Sequence, residues 1–128
     1  MQVAKMEGKF YRRVLICCPE RYISRLLEVV FERRGSLVTC VRDEKEALET
    51  LESGQSRGDP PFDRAVIDAT FEGCDGYSVL QWIRTHERGG AMWVALMIPG
   101  TQNVDLWNTR PYLADLYLRR PFNPSDVL

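Results

Sequence analysis

Residues 62–76 read FDRAVIDATFEGCDG, Phe62 to Gly76. The apolar run Ala65-Val66-Ile67 ends in a single carboxylate, Asp68. A short apolar run bounded by turn-forming residues fits a strand covered on both faces, as in a parallel sheet. Behind it, Thr70 to Gly76 reads as a loop that closes on Asp75-Gly76 and opens a helical pattern over Tyr77 to Arg88. A charge at the carboxyl end of a central strand, under such a loop, sits where open α/β sheets bind ligands. A structural reading stands beside it at even weight: Asp68 ends the strand and caps the loop through side-chain to backbone hydrogen bonds.

Upstream, residues 1–11 read as a loose lead-in, and Arg13-Val14-Leu15-Ile16-Cys17 as a first buried strand. Pro19 suits a first helical turn, where its missing N–H costs nothing. Ile23, Leu26, Leu27, Val30 and Phe31 then recur at helical spacing up to a stop at Gly35. Leu37 to Val41 is a second strand, and Asp43 caps a helix whose inner face is Ala47, Leu48 and Leu51. The breaker cluster ESGQSRGDPP, residues 52–61, predicts a long mobile loop before the central strand.

Downstream, Val79, Leu80 and Ile83 form the inner face of a helix that Gly89-Gly90 ends. A fourth strand spans Met92 to Met97 and stops at Pro99-Gly100. Asn103 can cap a short helix with Val104, Leu106 and Trp107, which Pro111 halts. Leu116-Tyr117-Leu118 is a fifth strand, and Asn123-Pro124-Ser125-Asp126 starts a final helix that has barely begun at Leu128. Strand and helix alternate five times, which predicts a doubly wound α/β fold around a five-stranded parallel sheet, its final helix truncated. A missing helix exposes an apolar patch for a longer chain or a partner to cover, and a fragment of a longer protein is the favoured reading.

A chain of 128 residues makes one domain with a proper core. Its formal net charge of -1 supplies no basic field for nucleic acid or an acidic membrane surface. No window approaches a membrane span, and the N-terminal stretch lacks the apolar region of a signal peptide, so the expected location is the cytoplasm. The four cysteines, Cys17, Cys18, Cys40 and Cys74, form no C-x-x-C, and His86 is the single histidine. A zinc site is therefore not expected, and the thiols read as reduced core fillers. Of the vicinal pair that ends the first strand, one should point out of the core.

At this point the chain resembles a response-regulator receiver domain, the CheY-like phosphoacceptor module of two-component signalling, from about Arg12 to the end. The segment DATFEGCDGYSVLQWIR carries the resemblance, with Asp75-Gly76 seven and eight positions after Asp68, and ADLYLRRPF is similar to the family's A-D-D-Y-L-x-K-P-F. The resemblance implies a (βα)5 receiver/flavodoxin-like fold spanning residues 12–128, as the N-terminal part of a longer protein. It aligns Asp68 with the phosphoacceptor, Tyr117 with the aromatic switch and Arg120 with the family's lysine.

The departures carry as much weight. The family's two Mg²⁺-holding acids stand here as Cys18 and Pro19. Proline offers no ligand, and a neutral thiol is a poor one for a hard cation. Glu20 lies one step along the helix start. The hydroxyl residue at the end of the fourth strand is replaced by Met97, which has no donor. Arg120 keeps the lysine's charge with a different hydrogen-bonding geometry. Each lost transition-state contact of this kind costs roughly 2–4 kcal/mol, so phosphoryl transfer should be suppressed by orders of magnitude. The resemblance thus implies a degenerate pseudo-receiver with no cofactor, in which Asp68 and Arg120 form an ion pair and Met97 packs against Tyr117. Cys18 and Cys74 belong to loops over the pocket, with a redox role as a minor reading.

Trp107, Tyr112 and Tyr117 are the expected contacts for a protein partner or self-association on the helix 4/strand 5/helix 5 face. An altered core beneath a shortened helix explains the aromatics equally. The leading expectation is a non-catalytic signalling module with an output domain after Leu128. The second is a working receiver phosphorylated on Asp68, with Mg²⁺ as its cofactor. A small enzyme is disfavoured, because no nucleophile–base pair, glycine-rich phosphate loop or metal set is visible. Direct nucleic-acid or membrane binding by this domain is not expected.

Overall fold

The computed structural model describes the backbone of residues 4–6, 9–70, 76–86 and 91–128, with side chains from Arg12 onward. Cys74, Asp75, Gly89 and Gly90, and the readings placed on them, lie outside the described residues. Strands β1 (Ala4–Met6) and β2 (Lys9–Tyr11) pair antiparallel as a separate two-stranded sheet. Part of the segment read as a loose lead-in is therefore a hairpin, consistent with the strand propensity of Phe10 and Tyr11.

The main sheet holds β3 (Arg13–Cys17), β4 (Leu37–Val41), β5 (Arg64–Asp68), β6 (Trp93–Ile98) and β7 (Leu116–Arg119). All neighbours are parallel, in the order β4-β3-β5-β6-β7. The connecting helices are α1 (Arg21–Arg33), α2 (Glu44–Arg57), α3 (Gly76–His86) and α4 (Val104–Asn108), and a 3₁₀ turn at Pro124–Val127 closes the chain. This is the doubly wound α/β layer structure expected, with the last helix reduced to one turn.

Side chains alternate across the sheet. Leu15, Ile67, Leu96 and Ile98 pack on one face with α2 and α3, while Ile16, Val66, Met97 and Leu118 pack on the other with α1 and the closing turn. Covering both faces explains the unbroken apolar runs. It also corrects the expectation for the vicinal thiols: Cys17 belongs to the first face and Cys18 to the second, and both are buried. Successive strand residues do point apart, but in a sheet covered on both sides neither direction leads to water.

Residues 52–57 are helical, not loop. Helix α2 continues through Ser53 and Gly54 to Arg57, and its stop is Gly58 at φ 73. A mid-helix glycine costs only about 1 kcal/mol, which Leu51, buried one turn earlier, can offset. The remaining connection is short and pinned, because Arg57 pairs with Asp59 and Arg13 Nη1 donates to the Pro60 carbonyl. Pro19 lies ahead of α1 rather than in its first turn, since Glu20 is the N-cap residue.

The closing turn is built as a helix start. Asn123 accepts from Ser125 N–H, and Asp126 reaches back to the Asn123 N–H. Val127, fully buried, and half-buried Phe122 cover part of the face that a full helix would cover. Arg64, stacked on Trp93, holds the Val127 carbonyl at 3.1 Å. An apolar groove of about 420 Å³ remains between Ile23, Leu26 and Leu27 of α1 and Pro121, Phe122 and Pro124.

Gly76 is required by packing. A Cβ there would lie 2.8 Å from both the Asp68 carbonyl oxygen and Ile67 Cγ2. Gly76→Ala should destabilise the fold by about 1–3 kcal/mol, read from urea unfolding. An unchanged midpoint would mean that α3 does not seat against the end of β5.

Candidate functional site

Asp68 ends the central strand and is fully buried at the carboxyl edge of the sheet. Its Oδ1 accepts from the Thr70 N–H at 2.7 Å and the Thr70 hydroxyl at 2.5 Å. This is the loop-capping role weighed in the sequence, with Thr70 two residues on as its partner. Oδ2 accepts from Arg120 Nη2 at 2.9 Å and from the Cys18 thiol at 3.5 Å. Arg120 Nη1 in turn donates to Glu20 Oε2 at 3.0 Å. One guanidinium thus bridges two carboxylates, from the end of β5 and the start of α1.

Local backbone puts Arg120 there. It follows β7 directly, and its carbonyl lies against Gly100, where a Cβ would clash with that oxygen. Burial works against the guanidinium's charge, yet Asp68 and Glu20 outweigh it, and the Arg120 pKa stands above its ordinary value. Burial pushes the Cys18 thiol up to about 12, with the Asp68 charge adding to the rise and the Glu20 backbone contact opposing it.

These donors do not fit a hard divalent cation. Cys18 keeps its proton at neutral pH, Pro19 has no side-chain ligand, and the carboxylates of Asp68 and Glu20 are both engaged by Arg120. Among the described residues no group of three His, Cys, Asp or Glu side chains could hold a metal ion. Glu20 Oε2 is bonded to the guanidinium.

The expected contact between Met97 and Tyr117 is not made. In the β6–β7 register Tyr117 stands opposite Leu96, whereas Met97 stands opposite Leu118 and packs on the other face. A period of two sends odd and even positions to opposite sides. Strand β6 also runs one residue further than expected, to Ile98, and it is Ile98 that shares Tyr117's face at that end. Either position is apolar, so no hydroxyl is offered. The Tyr117 hydroxyl accepts the Ala114 N–H at 3.0 Å.

Trp107 is not a surface contact. Only 6% exposed, it donates its indole N–H to Gln102 Oε1 at 2.9 Å and belongs to the core beneath the five-residue α4. Its ring and that of Tyr112 each lie 6.5 Å from Tyr77, whose hydroxyl accepts the Tyr112 N–H at 3.1 Å. Tyr112 and Tyr117 are half-buried, and the exposed apolar residues of the region are Leu106 and Leu113. The altered-core explanation therefore holds for Trp107.

No family model matches the chain. Over 120 residues it is 28% identical to the transcriptional regulatory protein GltR of Pseudomonas aeruginosa, an alignment covering 91% of this chain and 46% of that protein. The chain thus spans about half the length of the curated relative it matches. Similar solved structures include a response regulator receiver protein from Sinorhizobium medicae, at TM-score 0.74 and 22% identity over 91% of this chain and 87% of that one. The chemotaxis response regulator CheY4 of Vibrio cholerae superposes at 0.73 with 18% identity, covering 91% and 92%. The receiver domain of the Francisella response regulator 1452 gives 0.72 at 23%, covering 90% and 88%. The chain has the fold of CheY-like receiver domains.

Two outcomes test this geometry. Arg120→Ala should cost about 2–4 kcal/mol in urea unfolding, the range for stranding a buried charge discounted because the guanidinium is 25% exposed. Asp68→Asn should cost less, and equal effects would remove the pairing argument. For Cys18, the folded pKa exceeds the unfolded value near 9, so the folded state holds a proton that the unfolded chain releases. The thiol's contribution is complete below about pH 9 and is lost as pH rises toward 12. Iodoacetamide at pH 9 should therefore label exposed Cys40 in the native chain and Cys18 only in urea; equal labelling would contradict the burial.

Proposed function

We propose that this chain is a non-catalytic signalling module of receiver fold, acting through protein contacts on the α4–β7 face and independent of phosphorylation. The observation that carries this reading is the Arg120 guanidinium seated between Asp68 and Glu20. In a phosphoryl-transfer site, catalysis rests on positioning and on neutralising the equatorial oxygens. Here the nucleophile's charge is already neutralised by a side chain, and the neighbouring donors suit no hard cation. Tyr117, with its hydroxyl on the Ala114 amide and no hydroxyl residue ending β6, has no partner with which to switch.

The chain is read as the N-terminal, receiver-like part of a longer cytoplasmic protein, residues 12–128 forming the domain. The likeness over about half the length of a transcriptional regulatory protein supports an attached output domain and a role in controlling transcription. A second reading has its own observation. Asp68 remains at the carboxyl end of the central strand, so a receiver phosphorylated there, with Mg²⁺, is the alternative.

Incubation with acetyl phosphate and Mg²⁺, followed by intact-mass measurement, separates the two. The expected result is no adduct on the native chain, with formation recovered when Cys18→Asp, Pro19→Asp and Arg120→Lys are combined. A stoichiometric adduct on Asp68 of the native chain would establish the alternative.

A further inference from the structure

We infer that Arg110, laid over the rings of Trp107 and Tyr77, is the recognition element of the α4–β7 face for a protein segment presenting a carboxylate beside an apolar side chain. The inference rests on the reading of that face as a partner surface and names the chemistry of the partner. The Arg110 guanidinium carbon lies 4.1 Å from the Trp107 ring centroid and 4.8 Å from that of Tyr77, two rings tilted 57° to each other. The residue is exposed, and among the described residues no carboxylate lies within 4 Å of it. Asp105, the acid of α4 itself, is no exception. Arg25, Arg42, Arg57, Arg84 and Arg120 all have acidic partners.

A guanidinium held over ring faces keeps N–H donors for a further partner, and a carboxylate matches its fork in bidentate fashion. The platform beneath is itself held: Gln102 anchors the Trp107 indole, and the Tyr77 hydroxyl is tied to the Tyr112 amide. A group already ordered loses little freedom on binding. Leu106, 64% exposed, and Leu113, 48% exposed, lie four positions before and three after Arg110 in the chain and are the exposed leucines of this region. Arginine is among the residues enriched at binding hot spots. The exposed leucines favour a protein over a nucleic-acid backbone, whose phosphates gain nothing from them.

The test selects short random peptides displayed on phage against the full chain. Enriched peptides should carry Asp or Glu within one helical turn of Leu, Ile or Met. Synthetic copies should lose about tenfold or more in affinity when that acid becomes Gln, and equally when the protein carries Arg110→Gln. The two changes together should cost no more than either alone. Arg110 is exposed, so the variant should fold, which the Trp107 indole resonance reports. Peptides that protect Leu106 and Leu113 from exchange yet ignore Arg110→Gln overturn the acidic-partner inference and leave the face standing. Peptides that all map elsewhere, or no enrichment, overturn both. Self-association of the chain, or duplex DNA binding, that depends on Arg110 would assign the group to a different occupant and also overturn the inference.

Discussion

A single guanidinium organises the carboxyl edge of this sheet. Arg120 leaves β7 and reaches back to Asp68, a fully buried carboxylate at the end of β5, while its other terminal nitrogen holds Glu20 at the start of α1. An isolated carboxylate in that position would be costly, because desolvation penalises its charge. The bridge need add little net stability, yet it is costly to break from one side. Two glycines allow close backbone approach beside the paired residues. Gly100 gives room to the Arg120 carbonyl, and Gly76 gives room to the Asp68 carbonyl.

The same bridge defines what the pocket can do. Arg120 supplies internally the positive charge that a divalent ion would bring, and Cys18 adds a protonated thiol on the same carboxylate oxygen. On the α4–β7 side, a shortened helix has drawn Trp107 into the core, and Arg110 has taken the outer position above it. Burial and display are thus divided between two residues one helical turn apart.

Several features were legible in the residues themselves. The apolar runs around Ile16, Val66 and Ala95 identified buried parallel strands, because a sheet covered on both faces leaves no polar alternation. Asp43 and Asn103 announced helix starts, and both side chains accept the backbone N–H bonds expected of caps. Residues 52–57 are helical against expectation because the weak helical preference of Ser and Gly, about 1 kcal/mol for the glycine, is outweighed by the buried anchor at Leu51. The loop-capping reading of Asp68 was legible in the same way, and its Oδ1 accepts the Thr70 N–H two residues on.

Local patterning therefore determined the order and type of the elements of the main sheet and its helices, along with the place of the carboxylate, since those depend on neighbours a few positions apart. Only the assembled sheet decided which side chains meet. The pairing register sends Met97 and Tyr117 to opposite faces, brings both vicinal thiols under cover, and carries Arg120 to an acid 52 positions earlier and another 100 positions earlier. Side-chain direction in a strand reverses at every residue, and contact across strands depends on register. Neither quantity is encoded by any short stretch of chain, so they emerge only when the layers close on one another.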